Sequence, residues 1–324
     1  MEIIMSEKCT ISVIIPTFNA QQYIERCLCS IKEQTFRDFE IIVIDDCSCD
    51  QTTSCINKFI TENPQISCLL VKNSSNHGDT YSRNIGIRIA KGTYICTIDA
   101  DDLLHSEFLM LLYNKARETN AQFVFCGYDR CRKDKVVPYV PTWTYPDYNS
   151  IFKLKYAFLT TKTHICHCTI LYDRDFLLQN NLFYSESCRF AGDTEFVTKV
   201  LFNNPRFACV PKSLYYYFIH ENSISTSTPS EANFDGYYAY ERVKAYLKNP
   251  LWKLLFLFTR ESREVFHIIE SFYSRNMDLP SLFCSKYKII ILLIINTLRK
   301  YKKDNEAKKI LKQFYRKYFK KAKR

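Results

Sequence analysis

Short apolar runs alternate with helix-like stretches through the first third of the chain. Runs rich in β-branched residues stop abruptly at polar residues, at positions 11–15, 41–44, 68–71 and 93–98. The stretches between them have helical patterns, at 21–34, 52–61 and 80–91. Continuous apolar runs are typical of strands covered on both faces, and this alternation predicts parallel βαβ units. We therefore expect an α/β fold with a mostly parallel sheet flanked by helices.

Acidic residues follow two of these predicted strands. Asp45 and Asp46 end the second run, and Asp99, Asp101 and Asp102 follow the fourth. In open α/β sheets, ligands bind at the carboxyl ends of the strands. Carboxylates this close repel one another, and Mg²⁺ or Mn²⁺ held by Asp99 and Asp101 would remove the repulsion. Alternatively, the acids only solvate a loop, and Asp102 caps a helix that starts near residue 103.

The pattern loosens after residue 102. It predicts a helix at 105–119, a strand at 122–128 and a loop rich in Pro, Tyr and Trp at 138–149. From about residue 231 the sequence is helical and aromatic. These shifts divide the chain into regions 9–104, 105–228 and 229–324, the last being a helical C-terminal extension.

The fifteen cysteines are spread along a chain of 324 residues, often beside Ile or Leu. This distribution favours reduced core residues over a disulfide scaffold. The CLC, CSC and CHC pairs are separated by one residue, which is poor geometry for a closed zinc site. The segment HICHC at 164–168 is the best remaining candidate for a soft metal, although a strand with alternate residues buried is the favoured interpretation.

The charge of the chain is concentrated at its end. Residues 299–324 contain thirteen Lys or Arg and two acids, a net +11 that equals the net charge of the whole chain. Together with its aromatic residues, this basic amphipathic tail favours an interfacial helix on an anionic membrane surface. A solvated helix and an RNA-binding segment are the alternatives, and we expect no nucleic-acid partner.

Nothing in the sequence predicts a membrane span or a leader. The chain opens without a signal-peptide pattern, and its strongest apolar run, at 289–296, is too short to cross a bilayer. We expect a cytoplasmic protein whose membrane contact, on the inner face, is peripheral.

Four motifs, in order and with matching spacing, carry a resemblance to a known family: SVIIPTFNA, EIIVIDDCSCD, NHGDTYSRNIG and YICTIDADD. Region 11–102 resembles the nucleotide-sugar half of family-two inverting glycosyltransferases with the GT-A fold, of the bacterial surface-glycan type. The resemblance implies a Rossmann-like domain whose sheet is mixed but mostly parallel. It also implies a nucleotide-sugar donor, commonly a UDP-sugar, and a divalent metal, Mn²⁺ or Mg²⁺. It makes 9–104 the donor-binding half and 105–228 the acceptor and catalytic half.

The resemblance implies donor contacts at the ends of the first two strands. Pro16, Thr17 and Asn19 belong to a turn that would lie along the base and ribose. Asp46 would accept a hydrogen bond from the uracil ring. Taken singly, Asn19 would be only a turn residue, as would Gly78.

It also implies roles in the third and fourth motifs. Asn76 and Gly78 would shape a turn, and Arg83 would lie near the diphosphate or hold the acidic loop. Asp99 would touch the ribose or the metal, and Asp101 would bind the metal that bridges the donor phosphates. Taken singly, Arg83 would be only a helix-face cation that pairs with a nearby acid.

The segment FAGDTEFVTKVLF resembles the part of the family that supplies the catalytic base, a Glu-Asp pair before a helix. Asp193 matches the second member, whereas Gly192 stands where the family more often has Glu, which leaves Glu195 as the fallback. Asp193 as a plain helix N-cap is the alternative. In YYYFIHENSIS, His220 would reach the diphosphate or metal from a closing loop, or be a surface histidine without such a role.

The function expected from these motifs is transfer of a sugar, with inversion, from a UDP-sugar to a glycan or lipid-linked glycan acceptor. Bacterial capsule or lipopolysaccharide and lipooligosaccharide synthesis would be the setting. The rival functions are a sugar nucleotidyltransferase and a non-catalytic nucleotide-sugar-binding protein. The first rival would want a Gly-rich, basic loop after the first strand, and PTFNAQQ contains no Gly.

Overall fold

A parallel four-stranded block forms the first part of the sheet. The computed structural model describes residues 9–132, 135–139, 150–186, 188, 190–219, 234–257 and 259. The block contains β1 (Ile11–Thr17), β2 (Phe39–Asp45), β3 (Ser67–Lys72) and β4 (Tyr94–Thr97), in the order β3-β2-β1-β4. Every residue of β1, β2 and β4 is buried, as the continuous apolar runs predict.

Three helices connect these strands: α1 (Ile24–Lys32), α2 (Thr52–Glu62) and α3 (Asp79–Ile89). Helix α1 buries Ile24, Cys27, Leu28 and Ile31, whose spacing places them on one helical face. Helix α3 lies so close to the sheet that a Cβ on Gly86 would come within 2.3 Å of Ile14. The predicted helices are therefore confirmed, with ends displaced by a few residues.

The second part of the sheet is mixed. Strand β4 pairs antiparallel with β8 (Ile170–Asp173), which pairs antiparallel with β6 (Phe123–Arg132). Strand β6 then runs parallel to β9 (Phe207–Phe218), whose far side pairs with the two-residue β5 (Leu103–Leu104). Strand β7 (Lys135–Tyr139) pairs with β6. The predicted α/β class with a mixed, flanked sheet is confirmed.

Four helices accompany the mixed strands: α4 (Phe108–Thr119), α5 (Ile151–Leu159), α6 (Arg174–Gln179) and α7 (Gly192–Phe202). A 3₁₀ turn at His167–Thr169 precedes β8. The predicted strand over 164–168 is therefore wrong, because Thr169 donates from its N–H and its hydroxyl to the carbonyl of Cys166 and turns the chain.

The predicted helix cap at Asp102 is also wrong. The residues that follow Asp102 form the short strand β5, and α4 begins only at Phe108. Instead of capping a helix, Asp102 accepts hydrogen bonds from the Tyr215 hydroxyl at 2.7 Å and from the Phe218 N–H at 2.8 Å. The buried carboxylate thus ties the end of β9 to the loop after β4.

The chain divides into two compact units, Met1–Phe158 with Lys162–Ser227, and Leu159–Thr161 with Thr228–Arg324. The sheet belongs to the first unit. The second contains α8 (Phe234–Tyr246) and α9 (Pro250–Phe256). The basic tail at 299–324 lies outside the described residues, and within the described part no helix is both long and apolar enough to cross a bilayer.

Candidate active site

The loops after β1 and β2 hold each other in place. Asn19, at a φ of 48°, donates from its N–H to the Ser48 hydroxyl and accepts at its side chain from the Cys49 N–H. The Asp46 N–H donates to the Thr17 carbonyl. Pro16 and Thr17 are buried at the end of β1, and the Thr17 hydroxyl has no hydrogen-bond partner among the described residues. A buried hydroxyl in this state is suited to a ligand atom.

Asp46 organises the loop that leads into α3. Its carboxylate accepts hydrogen bonds from the N–H groups of His77 and Gly78 and from the Asn73 amide. The Asn76 amide donates to the carbonyl of Asp46. Gly78 has a φ of 90° and a ψ of 163°, a backbone region that only Gly adopts readily. The three residues predicted here, Asp46, Asn76 and Gly78, therefore meet, while a uracil contact for Asp46 stays a prediction.

Arg83 on α3 is a buried cation between acids. Its guanidinium lies 2.5 Å from Asp99 and 3.3 Å from Asp79, and only 3% of the side chain is exposed. Burial raises the pKa of Asp99, but the charge of Arg83 together with the hydrogen bond and charge of His167 outweighs burial and holds that pKa well below its usual value. Asp99 is therefore ionised at neutral pH. Arg83 makes the contact expected for holding the acidic loop, and a diphosphate contact stays a prediction.

The acidic loop after β4 brings carboxylate oxygens of Asp99, Asp101 and Asp102 within 4.8 Å of one another. Burial, and then the charges of Asp99 and Asp101, raise the pKa of Asp102 well above its usual value. Arg26 on α1 donates to the Asp101 carbonyl at 2.5 Å and stacks on Phe218, with 4.2 Å between the guanidinium carbon and the ring centroid. Arg26 thus holds the loop through its backbone at Asp101, and Asp99 and Asp101 remain the candidate metal ligands.

His167 lies between the acidic loop and α7. Its Nε2 is 3.9 Å from an Asp99 oxygen, and its Nδ1 is 3.8 Å from an Asp193 oxygen. The Cys168 sulfur is 2.9 Å from Nε2. Burial raises the pKa of Cys168 well above its usual value, so the group is a neutral thiol. Sequence reasoning treated HICHC only as a soft-metal candidate or a strand and missed this position.

The structure distinguishes Asp193 from Glu195, although both lie in the first turn of α7. The Asp193 side chain is 50% exposed. Glu195 is buried, 2.6 Å from the Lys199 ammonium, and accepts a hydrogen bond from Ser185. A buried, paired carboxylate cannot reach a substrate hydroxyl, so the geometry favours Asp193 over the fallback. Asp193 does not cap the helix, because the N-cap residue is Ala191.

The glycine before Asp193 also has a structural reason. A Cβ on Gly192 would lie 3.0 Å from the Thr80 side chain and 3.5 Å from Cys188. The start of α7 therefore packs directly against the start of α3, and a glutamate side chain at 192 would force one of them to move.

The structure brings most of the predicted residues into one connected network. It runs from Asp46 through Gly78 to α3, from Arg83 to Asp99, and by way of His167 to Asp193. His220 lies outside the described residues. Besides His167, sequence reasoning missed Arg26, which is 75 positions from the carbonyl that it holds.

Comparison with known proteins agrees with this geometry. The model of the Glycosyl transferase family 2 matches residues 12–179. The chain belongs to this family. It is 30% identical over 261 residues to the poly(ribitol-phosphate) beta-N-acetylglucosaminyltransferase TarP of Staphylococcus aureus (strain N315), which is 75% of this chain and 74% of TarP.

A second relative and a solved structure extend this assignment. The uncharacterized glycosyltransferase EpsJ of Bacillus subtilis (strain 168) is 28% identical over 223 residues, 66% of this chain. The match spans 62% of EpsJ, less than two thirds of that relative. The crystal structure of S. aureus TarS 1-349 in complex with UDP-GlcNAc superposes with a TM-score of 0.68 at 20% identity, over 95% of this chain and 92% of TarS 1-349. The likeness to TarS shows a shared fold.

Proposed function

We propose that the protein is an inverting glycosyltransferase that moves a sugar from a UDP-sugar to a glycan acceptor, with a divalent metal bound at the acidic loop. The single observation that carries the proposal is the position of His167, 3.9 Å from Asp99 and 3.8 Å from Asp193. The candidate phosphate end of the donor site and the candidate base therefore lie on opposite sides of one imidazole. Transfer requires both at one sugar.

The donor would bind along the carboxyl ends of β1, β2 and β4. The buried Thr17 hydroxyl and the Asn19 turn would contact the nucleoside, with Asp46 holding the surrounding loop and accepting from the uracil ring. Arg83 would supply positive charge near the diphosphate. These positions support a nucleotide that lies across the point where β1 and β2 end, as ligands do in open α/β sheets.

The acidic loop suits a hard cation. Asp99 is ionised, and Asp99 and Asp101 offer the oxygen ligands that Mg²⁺ and Mn²⁺ prefer. Asp102 is less suited, because its raised pKa favours the protonated form and its oxygens accept from Tyr215 and Phe218. When bound, the metal would neutralise charge on the diphosphate leaving group.

Asp193 would act as the general base. A half-exposed carboxylate can accept the proton of an acceptor hydroxyl while that oxygen attacks the anomeric carbon. The bond from that carbon to the UDP oxygen breaks in the same step, and UDP leaves from the opposite face with the bonding electron pair. A single displacement of this kind inverts the anomeric centre.

We propose a surface glycan or a lipid-linked glycan as the acceptor, in bacterial capsule or lipopolysaccharide synthesis. The names of TarP and TarS, which act on poly(ribitol phosphate), support an acceptor at the cell envelope. The sugar and linkage depend on region 105–228.

The test is UDP release from a panel of UDP-sugars with Mn²⁺, and Asp101→Ala should lower the rate by about 10²-fold or more. The matched control is Asp175→Ala, an acid in the first turn of α6 whose side chain is 78% exposed, and it should retain the wild-type rate. NTP formation from pyrophosphate and a UDP-sugar would instead indicate a nucleotidyltransferase. UDP binding without release would indicate the non-catalytic rival.

We also propose that residues 299–324 hold the enzyme on an anionic membrane as a peripheral protein. The net charge of +11 in this tail supports the proposal. Deletion of 299–324 should abolish sedimentation with vesicles that contain phosphatidylglycerol at low salt. Unchanged sedimentation of the truncated protein would show that the tail is not the anchor.

A further inference from the structure

His167 has a ring nitrogen for which the fold supplies no partner. Its Nδ1 is buried and makes no hydrogen bond to any of the described residues. The Asp193 carboxylate lies 3.8 Å from that nitrogen, which is beyond hydrogen-bond distance. Unsatisfied buried polar groups are rare in folded proteins, and a catalytic role is one of the explanations for them.

The other ring nitrogen has a neighbour that can donate to it. The Cys168 sulfur lies 2.9 Å from Nε2, and a thiol can donate its S–H to a ring nitrogen. When Cys168 donates, Nε2 accepts and the neutral imidazole carries its proton on Nδ1, the nitrogen that faces Asp193. A charged imidazole carries a proton on both nitrogens, so Nδ1 is a donor in that state too.

The ring is more buried than the carboxylate that it faces. His167 lies in the 3₁₀ turn before β8 and has the edge of the Tyr184 ring against it, with 6.3 Å between centroids and an angle of 82°. Its side chain is 11% exposed, whereas that of Asp193 is 50% exposed. A rotation of the Asp193 side chain that shortens the separation by about 1 Å would form a normal hydrogen bond.

We propose that His167 is a positioning residue for Asp193. The Nδ1–H group donates to the Asp193 carboxylate and orients it so that its second oxygen accepts the proton of the acceptor hydroxyl. This inference rests on the proposed function, in which Asp193 is the base. The imidazole itself exchanges no proton with the substrate.

The first test separates the two ring nitrogens. The side-chain amide of Asn can place its N–H near the position of Nδ1, whereas the longer Gln places its N–H near Nε2. With UDP-GlcNAc, Mn²⁺ and water as the acceptor, His167→Gln and His167→Ala should lower kcat for UDP release by about 10²-fold, whereas His167→Asn should stay within about tenfold of wild type. The KM for UDP-GlcNAc and the Kd for UDP should stay within about threefold for all variants.

Equal losses of kcat in the Asn and Gln variants would show that His167 is only a core residue. The same conclusion would follow if kcat fell across the variants in proportion to their Tm. Melting temperature is therefore measured for every variant. Wild-type rates in all of them would also overturn the proposal.

The second test does not depend on enzyme activity. A substitution at His167 is needed only to assign its NMR signal. In protein with ¹⁵N-labelled imidazoles, the His167 Nδ1 should be protonated, and its resonance should shift in Asp193→Asn. An unprotonated Nδ1, or a resonance that Asp193→Asn leaves in place, would overturn the proposal. If no UDP-sugar is turned over by the wild type, the proposed function fails, and this measurement still decides on the His167 contact.

Discussion

The donor half and the acceptor half of the site are built by different means. In the donor half, Asp46 directly follows β2 and Asp99 lies two residues after β4, and every residue of both strands is buried. In the acceptor half, Asp193 lies in the first turn of a helix and His167 in a 3₁₀ turn. Strand ends at one sheet edge are neighbours by topology, whereas a turn and a helix start meet only through packing. The order of the strands in the sheet thus positions the donor-half groups, and side-chain packing positions the acceptor-half groups.

The two halves belong to one sheet, in which β4 pairs with β8, and at the site they meet through a few side chains. Gly192 packs on Thr80, and His167 lies between Asp99 and Asp193. The reacting groups of the two halves are therefore joined where α7 and the 3₁₀ turn approach α3 and the acidic loop. If the comparison holds, substitutions in the acceptor half should affect catalysis with little effect on donor binding, whereas those in the donor half should affect stability and donor binding.

The largest effect is expected for Asp193→Asn. Loss of the base should lower kcat for sugar transfer by about 10³-fold, since general base catalysis contributes 10² to 10⁴. The Kd for UDP should not change, because Asp193 lies on the acceptor side of His167. Steady-state UDP release and calorimetry with UDP measure the two quantities.

Asp175→Asn is the control for this prediction. It also removes an acid from the first turn of a helix, but the Asp175 side chain is more exposed than that of Asp193. A wild-type rate in Asp193→Asn would exclude Asp193 as the base. A large loss of UDP affinity in the same variant would mean that the two halves are not separable.

An effect on stability of about 3 kcal/mol is expected for Arg83→Met. The substitution leaves Asp99 and Asp79 without their shared buried cation. Their side chains are 29% and 42% exposed, so water offsets part of the loss and the figure lies at the low end for a buried pair. Urea unfolding measures the change.

Arg88→Met on the same helix provides the matched control. Arg88 lies 3.6 Å from Glu186, and both side chains are about half exposed, so its loss should cost less than about 1 kcal/mol. Equal costs for the two variants would show that Arg83 is not a buried link between α3 and the acidic loop.

The same division explains what could be predicted from sequence. The four parallel strands and their acidic ends were predictable, because a continuous apolar run that stops at a polar residue fixes both the strand and its edge. Asp46, Asp99 and Asp101 therefore lie where the pattern indicates. The family resemblance adds Asp193, which the pattern alone would not distinguish from Glu195.

The remaining groups depend on contacts between positions far apart in the chain. Asp102 accepts from Tyr215, 113 positions away, and no local signal predicts that bond over a helix cap. In HICHC, alternating apolar and polar residues fit a strand as well as a turn, and the hydrogen bonds from Thr169 to Cys166 decide for the turn. His167 was missed because its role follows from Asp99 and Asp193.

The smallest of these effects is expected for Gly78→Ala. A Cβ at this position meets no atom within 4 Å, so any cost must come from the backbone, whose φ of 90° and ψ of 163° disfavour every residue except Gly. We expect a loss of about 2 kcal/mol in unfolding free energy. We also expect weaker UDP binding, because the Gly78 N–H donates to Asp46.

Ser75→Ala is the control, at an exposed position in the same loop, and it should change stability by less than about 0.5 kcal/mol. If Gly78→Ala is as neutral as this control, backbone conformation does not set the donor loop, and the two halves of the site do not differ in the way proposed.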